Sequence, residues 1–195
     1  MIAWLVVGLG NPGERYASTR HNIGARVVER LAERLGTRLR KVRFVPIDAG
    51  EAAVDGTRVL LARPHTFMNV SGPAVASLAR KRRIEPEHVV ACHDEIDLAF
   101  GSLRLKFGGS TAGHRGLVSL AGALGTPEFH RVRLGVGRPP GRKDPADHVL
   151  EPFAKAEREE AELLVEEAAE AVLTLARQGL SVAQDRHNRT PRRAD

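Results

Sequence analysis

A chain of 195 residues, 42% apolar and 28% charged, has the length for one well-cored globular domain, and no apolar run approaches the ~20 residues a membrane span needs. The single cysteine, Cys92, rules out an internal disulfide and fits a reducing, cytoplasmic setting, while the apolar N-terminus has neither a basic n-region nor a cleavage site and so reads as a strand, not a signal peptide. Thirty Lys plus Arg against 24 Asp plus Glu give a net charge of +6, which suits either a phosphate-rich partner gripped by guanidinium groups or a merely solvated basic surface.

Residues 1–7, MIAWLVV, are almost continuously apolar, the pattern of a strand buried on both faces of a parallel or mixed sheet. The chain leaves that strand through Gly8, Gly10, Asn11, Pro12 and Gly13, and a glycine-rich exit of this kind is the usual place for a ligand crevice in an α/β protein. Apolar positions at Ile23, Val27, Val28, Leu31, Ala32 and Leu35 predict a helix over 23–35, stopped by Gly36. Strands are predicted over 39–44 and 46–54, the second turning at Asp55-Gly56 into a third over 57–62. A loop over 63–69 precedes a helix over 71–83, and then comes a buried strand over 88–93 that ends in His93-Asp94-Glu95. Residues 102–107 alternate as a half-exposed strand; the glycine-rich loop 108–116 opens a helix running to Leu124, and 131–136 form the last strand. Residues 137–147 read as a surface loop, 156–177 as a long helix, and the chain from Asp185 onward as basic, polar and mobile. Strands interleaved with helices, one hairpin and no linker give a single α/β domain with a mixed sheet.

Gly8-x-Gly10-x-x-Gly13 has the spacing of a dinucleotide fingerprint, but that motif needs a helix to start within it, and the helical pattern here starts only near Asn22. His21 is either a solvated residue at a helix start, with Asn22 as N-cap, or a general base, because imidazole titrates near neutrality. Asp94, after a packed apolar run, is either a cap or a carboxylate that holds the Nδ1–H of a histidine. Strand alternation turns Cys92 and His93 to opposite faces, which leaves Cys92 as a small packed residue rather than a nucleophile. His21, His93, Asp94 and His114 are types that hold metals, yet no H-x-H, HExxH or cysteine pair accompanies them, and neither a metal nor another cofactor is expected. Asn11 and Asn69 are loop amides, suited to reading an amide-bearing substrate or simply to shaping turns. Basic groups recur at Arg80-Lys81-Arg82-Arg83, at Arg104 with Lys106, at Arg131 with Arg133, over 138–143 and at Arg186, Arg189, Arg192 and Arg193. They are solvated faces or a track for a nucleic-acid backbone. With only Tyr16, Phe67 and Phe107 near the loops, phosphate contacts would outweigh base stacking.

Five segments, in order, resemble bacterial-type peptidyl-tRNA hydrolase: GLGNPG with Tyr16 and RHN within 8–22, PHTFMNVSG at 64–72, HDEIDL at 93–98, GGSTAGHRGL at 108–117 and RVRLGVGRP at 131–139. The resemblance implies one α/β domain over residues 1–188, a twisted mixed β-sheet flanked by helices, with 189–195 as a basic, flexible tail. It implies hydrolysis of the ester that joins a peptide to the terminal ribose of tRNA, by a cytoplasmic, metal-independent monomer whose partner is tRNA, through its acceptor end and backbone, and not a membrane. His21 is then the general base that activates water, Asp94 orients it, and Asn11 separates N-blocked peptidyl-tRNA from free aminoacyl-tRNA. Tyr16, Phe67 and Asn69 fall on positions that contact the tRNA end and the peptide, Met68 lines the cleft, and His114 lies in the loop that closes the site. Arg115 departs from the family, which usually has asparagine there; arginine donates hydrogen bonds but accepts none, so substrate binding at this position does not carry over unchanged. The alternative is a non-catalytic RNA-binding protein on the same fold.

Overall fold

Strand β1 (Ala3–Gly8) lies at the middle of a seven-stranded mixed sheet in the computed structural model, which describes residues 3–189. The other strands are β2 (Arg40–Lys41), β3 (Ile47–Val54), β4 (Thr57–Pro64), β5 (Val89–Glu95), β6 (Leu103–Phe107) and β7 (His130–Gly135). Across the sheet the order is β2-β3-β4-β1-β5-β7-β6. β1 runs parallel to both β4 and β5, and β5 runs parallel to β7; β3 pairs antiparallel with β2 and β4, and β6 antiparallel with β7. The helices are α1 (Glu14–Ala17), α2 (Ile23–Arg34), α3 (Gly72–Arg82), α4 (Arg115–Leu124), α5 (Pro145–Val149), α6 (Arg158–Gln178) and α7 (Leu180–His187).

The unbroken apolar reading of β1 follows from its position. Leu5 and Val7 point into a core shared with α3 and α4, while Val6 points into the opposite core under α2 and α6, as the two-residue period requires. On α2, Ile23, Val27, Val28 and Leu31 are fully buried against the sheet. Each such side chain contributes about 1.5–3 kcal/mol relative to exposure. Two glycines set how closely this helix approaches. A Cβ on Gly24 would stand 2.1 Å from the Cys92 carbonyl oxygen of β5, and one on Gly8 would stand 2.6 Å from the Gly24 carbonyl. Only bare backbone fits there, and the close approach carries the turn just before α2 down to the end of β5.

Several boundaries differ from the sequence reading, each for a local reason. The strand expected over 39–44 shrinks to Arg40–Lys41 because the chain folds back on itself: Val45 donates to Val42, Val42 donates to Ile47, and Phe44 sits at φ 65° with its ring exposed. Only Pro46 marks the reversal, and its left-handed position is filled by Phe44 rather than by the glycine or asparagine that would announce it. A one-turn helix, α1, starts directly after Gly13, where no helical pattern is expected; its first residue is the acidic Glu14, the wrong charge for a phosphate cradle. The surface loop expected over 137–147 ends in α5, whose start is an Asp144 N-cap, with Oδ1 accepting from Ala146 N at 2.8 Å, followed by Pro145. The mobile end expected from Asp185 begins inside α7. Beyond it Asn188 Oδ1 accepts from Leu105 N, and Arg189 pairs with Leu103 along the exposed edge of β6. The remainder of the expected tail, 190–195, lies outside the described residues.

Candidate active site

A cleft opens beyond the C-terminal ends of the paired strands β1 and β5. His21, Asp94, His114, Asn11, Met68, Asn69, Phe67 and Arg115 all line it, so the fold gathers residues from five separated segments. Ile96, Val149 and Leu150 supply an apolar wall that the sequence reading did not single out. The two wall residues at 149 and 150 come from the end of α5, the helix hidden in the supposed loop. Tyr16 does not line the cleft; it stands at the rim, with its ring edge-on to Phe67 at 6.4 Å between centroids.

His21 belongs to the turn Arg20–Asn22 that precedes α2. Arg20 anchors that turn: it is buried, its Nη1 donates to the Pro152 carbonyl at 2.8 Å, and its Nη2 meets Glu157 Oε2 at 2.6 Å. From the anchored turn, His21 Nδ1 lies 2.8 Å and 3.0 Å from the two carboxylate oxygens of Asp94. A carboxylate can only accept, so Nδ1 carries the hydrogen and Nε2 keeps the lone pair. Asp94 is almost wholly buried. Burial opposes its charge, but the His21 and His114 imidazoles and the hydrogen bonds they donate outweigh that and hold the carboxyl well below the usual carboxylate range.

His114 reaches the same carboxylate from the other side, with Nε2 2.9 Å from Asp94 Oδ1. Its Nδ1 accepts from Leu117 N at 3.3 Å, which makes it the N-cap of α4. A ring nitrogen that accepts leaves the other to donate, so the tautomer is fixed from both ends. The reactive atoms of His21, Asp94 and His114 lie within 4.8 Å of one another and are of metal-binding types, but the imidazole nitrogens that face the carboxylate already carry hydrogens directed at it. His93 stands outside this group. Its Nδ1 donates to the Asp94 backbone carbonyl at 2.7 Å, its ring stands edge-on to His114 at 4.8 Å, and burial keeps it neutral by pushing its pKa well down. Cys92 lies on the opposite face in the core, its thiol pushed up to about 12 by burial and therefore never a thiolate nucleophile at neutral pH.

Asn22 makes no N-cap bond. Instead its side chain clamps the main chain of Asn11: Oδ1 accepts from Asn11 N and Nδ2 donates to Asn11 O, both at 2.9 Å. The glycines serve this clamp, because a Cβ on Gly10 would stand 3.0 Å from Asn22 Cγ. Asn11 Oδ1 then accepts from Met68 N at 2.8 Å, and this orientation keeps the Nδ2 hydrogens available to the cleft. Met68 is buried against Gly116, where any Cβ would meet its sulfur at 2.5 Å. Asn69, by contrast, is exposed, and its amide has no hydrogen-bond partner among the described residues.

Part of the basic surface proves structural. Arg131 is fully buried and donates to the carbonyls of Ser110 at 2.5 Å and Gly109 at 2.7 Å, tying down the loop that leads to His114. Arg133 pairs with Glu95 at 3.1 Å, Arg138 with Asp97 at 2.5 Å and Arg82 with Glu51 at 3.4 Å. Lys106 is crowded by Arg131 and Arg133; burial first, then those two charges, lower its pKa, so it marks a locus of excess positive field.

Fold and site define a class: a single-domain α/β protein whose cleft presents a carboxylate-backed imidazole beside amide donors, the equipment of general-base ester hydrolysis. Residues 5–194 match the peptidyl-tRNA hydrolase family, and the chain belongs to that family. It is 52% identical over 181 residues to a peptidyl-tRNA hydrolase of Nocardia farcinica, covering 93% of this chain and 94% of that one. A second, from Frankia alni, is 52% identical over 185 residues, covering 95% and 93%. The crystal structure of peptidyl-tRNA hydrolase from Acinetobacter baumannii superimposes with a TM-score of 0.90 at 35% identity, covering 96% of this chain and 95% of that one.

Proposed function

We propose that His21 Nε2 takes a proton from a water molecule in the cleft while Asp94 holds Nδ1–H and stabilises the imidazolium that forms. The chain is a carboxylic ester hydrolase that acts on peptidyl-tRNA. The activated water adds to the ester carbonyl carbon; the tetrahedral intermediate collapses, and the departing ribose oxygen takes the proton back from His21. The bond from His21 Nδ1 to Asp94, which leaves Nε2 as the basic nitrogen, carries this reading. The same intact pair argues against a purely RNA-binding role.

The Asn11 amide, with Oδ1 turned to Met68 N–H, presents its Nδ2 donors to the cleft. Donors receive the peptide carbonyl of an N-blocked substrate and meet a free α-ammonium with like polarity, so the residue favours peptidyl over aminoacyl esters. The Asn69 amide, unpartnered among the described residues, binds alongside it, and Phe67 with Tyr16 forms an aromatic rim for the terminal nucleoside. Lys106, together with Arg115 at the mouth, meets the phosphate backbone of tRNA. The enzyme works as a cytoplasmic monomer without a metal, and the described residues contain no helix long and apolar enough to cross a membrane. The test compares N-acetyl-aminoacyl-tRNA with free aminoacyl-tRNA, with and without chelator. Wild type should cleave only the blocked ester in both conditions, and His21→Ala should cleave neither while melting like wild type. Full turnover by His21→Ala would sink the base assignment, and a loss of activity restored by added metal would sink the metal-free mechanism.

A further inference from the structure

One imidazole, His114, does two jobs at opposite corners of its ring. Nδ1 caps α4 by accepting from Leu117 N, and Nε2 donates to Asp94 Oδ1, the same oxygen that lies 2.8 Å from His21 Nδ1. No shorter polar side chain spans both: Asn or Ser at this position would cap the helix and fall short of the carboxylate. Histidine is also not among the preferred N-caps, so the capping requirement alone does not account for it. The base assigned above draws its strength from Asp94, and Asp94 divides its charge between two donors.

Resting on the base assignment above, we infer that His114 is a positioning residue that sets how strongly Asp94 holds the proton on His21, and that it couples this strength to the seating of α4 and of the loop before it. A carboxylate oxygen that accepts a second N–H is a weaker partner for the first. With His114 in place, the imidazolium of His21 is stabilised less, and the neutral, basic form is available at lower pH. The loop takes part because Arg131 fixes its carbonyls at Gly109 and Ser110, while His114 N donates to Thr111 O at 2.9 Å. A displaced loop would withdraw the second donor and change the base at a distance. The other charged groups around the pair are accounted for. Arg20, on the same turn, is engaged by Glu157, Glu95 on β5 is paired with Arg133 of β7, and His93 is buried neutral behind His114. Arg115 opens α4 at the exposed mouth, and His148 of α5 is buried with its pKa lowered, first by burial and then by the Arg20 charge.

Two variants separate the jobs of the ring. His114→Asn keeps an acceptor where Nδ1 lies, and Asn is among the strongest N-caps, but it has no group that reaches Asp94. His114→Gln carries its amide nitrogen about as far out as Nε2 and restores the donor while losing the cap. The acid limb of the kcat/KM–pH profile is read for wild type and both variants, with melting curves alongside. The limb should move up by about one pH unit in the Asn variant, the size of one charge-assisted hydrogen bond, at a melting temperature close to wild type. In the Gln variant it should lie near the wild-type position at a reduced melting temperature. An Asn-variant limb that overlays wild type, or Asn and Gln limbs that move together, would overturn the inference and leave the His21 assignment standing. A wild-type profile with no acid limb would remove that assignment itself, and this inference with it.

Discussion

Replacing Asp94 by Asn removes one charge from the site and keeps the volume. The carboxylate oxygens lie 2.8 Å and 3.0 Å from His21 Nδ1, so the centres of the negative charge and of the imidazolium in the proposed mechanism are roughly 4 Å apart. At the effective dielectric of about 20 that suits such sites, that separation corresponds to about 4 kcal/mol, close to a thousandfold in rate. A second effect adds to it. Asp94 accepts from both His21 and His114, whereas an Asn side chain has one accepting oxygen and a donating NH2. Because the His114 tautomer is held by Leu117 N–H, the conflict is relieved most easily by flipping the His21 tautomer, which puts the hydrogen on Nε2 and removes the base. A fall in kcat of about 10³-fold or more is expected, measured by initial rates on N-acetyl-aminoacyl-tRNA. Binding of uncleaved tRNA should remain within a few-fold of wild type, since Asp94 is buried and does not face the backbone path. The carboxyl is held well below its usual range, so Asp94 stays ionised and the full deficit is expected on the neutral plateau, narrowing towards acid pH as the limb that Asp94 raises through His21 moves down in the variant. A kcat within tenfold of wild type would refute the charge argument, and loss of tRNA binding at preserved kcat would make Asp94 a structural residue.

Gly24→Ala would place a methyl group 2.1 Å from the Cys92 carbonyl oxygen and push α2 away from β5. About 3 kcal/mol of stability should be lost, a fall of roughly 6–12 °C in melting temperature, together with activity as His21 separates from Asp94; a melt matching wild type would show that the helix has slack. His130 is lowered to about 4, first by burial and then by the His88 charge, whereas an unfolded histidine titrates near 6.5. The unfolded chain therefore binds the proton first as pH falls, and stability declines from about pH 6.5 down to about pH 4. At pH 5 this amounts to about 1–2 kcal/mol, discounted for a ring that is only partly buried, and His130→Phe should flatten that part of a urea-midpoint profile; an unchanged slope would refute it. Lys106→Gln should weaken tRNA binding and reduce the salt slope of log Kd by about one, whereas an unaltered slope would take Lys106 off the phosphate path.

Much of the site is legible in the one-dimensional chain because its residues sit beside strong local signals. The apolar run before Gly8 marks a strand buried on both faces, the apolar run before Asp94 marks another, and His21 stands directly before a clear helical stripe. Those local patterns are enough to put Asp94 and the glycine loop at strand ends, where α/β proteins bind ligands, and His21 at the start of the helix that follows the loop. The order of the five motifs does the rest for the family. Roles that depend on partners far away in sequence are not legible. Asn22 looks like a cap and is a clamp on Asn11, 11 residues earlier; Arg131 looks like a phosphate contact and is a buried tie on the loop at Gly109 and Ser110. The α5 segment that walls the cleft is marked locally only by Asp144-Pro145, inside a stretch whose composition reads as loop.

Length, residue types and periodicity thus determine the central strands, the long helices and the chemical inventory of this protein, since each depends on neighbours a few positions apart. Tertiary structure alone decides which hydrogen bonds that inventory makes. It brings α2 so close to β5, through Gly24, that His21 and Asp94, 73 residues apart, meet at 2.8 Å, and it sets His114 on the same oxygen from a third segment. For a histidine in a sequence, either ring nitrogen can carry the hydrogen. Here the packing of three chain segments fixes which of them carries the hydrogen.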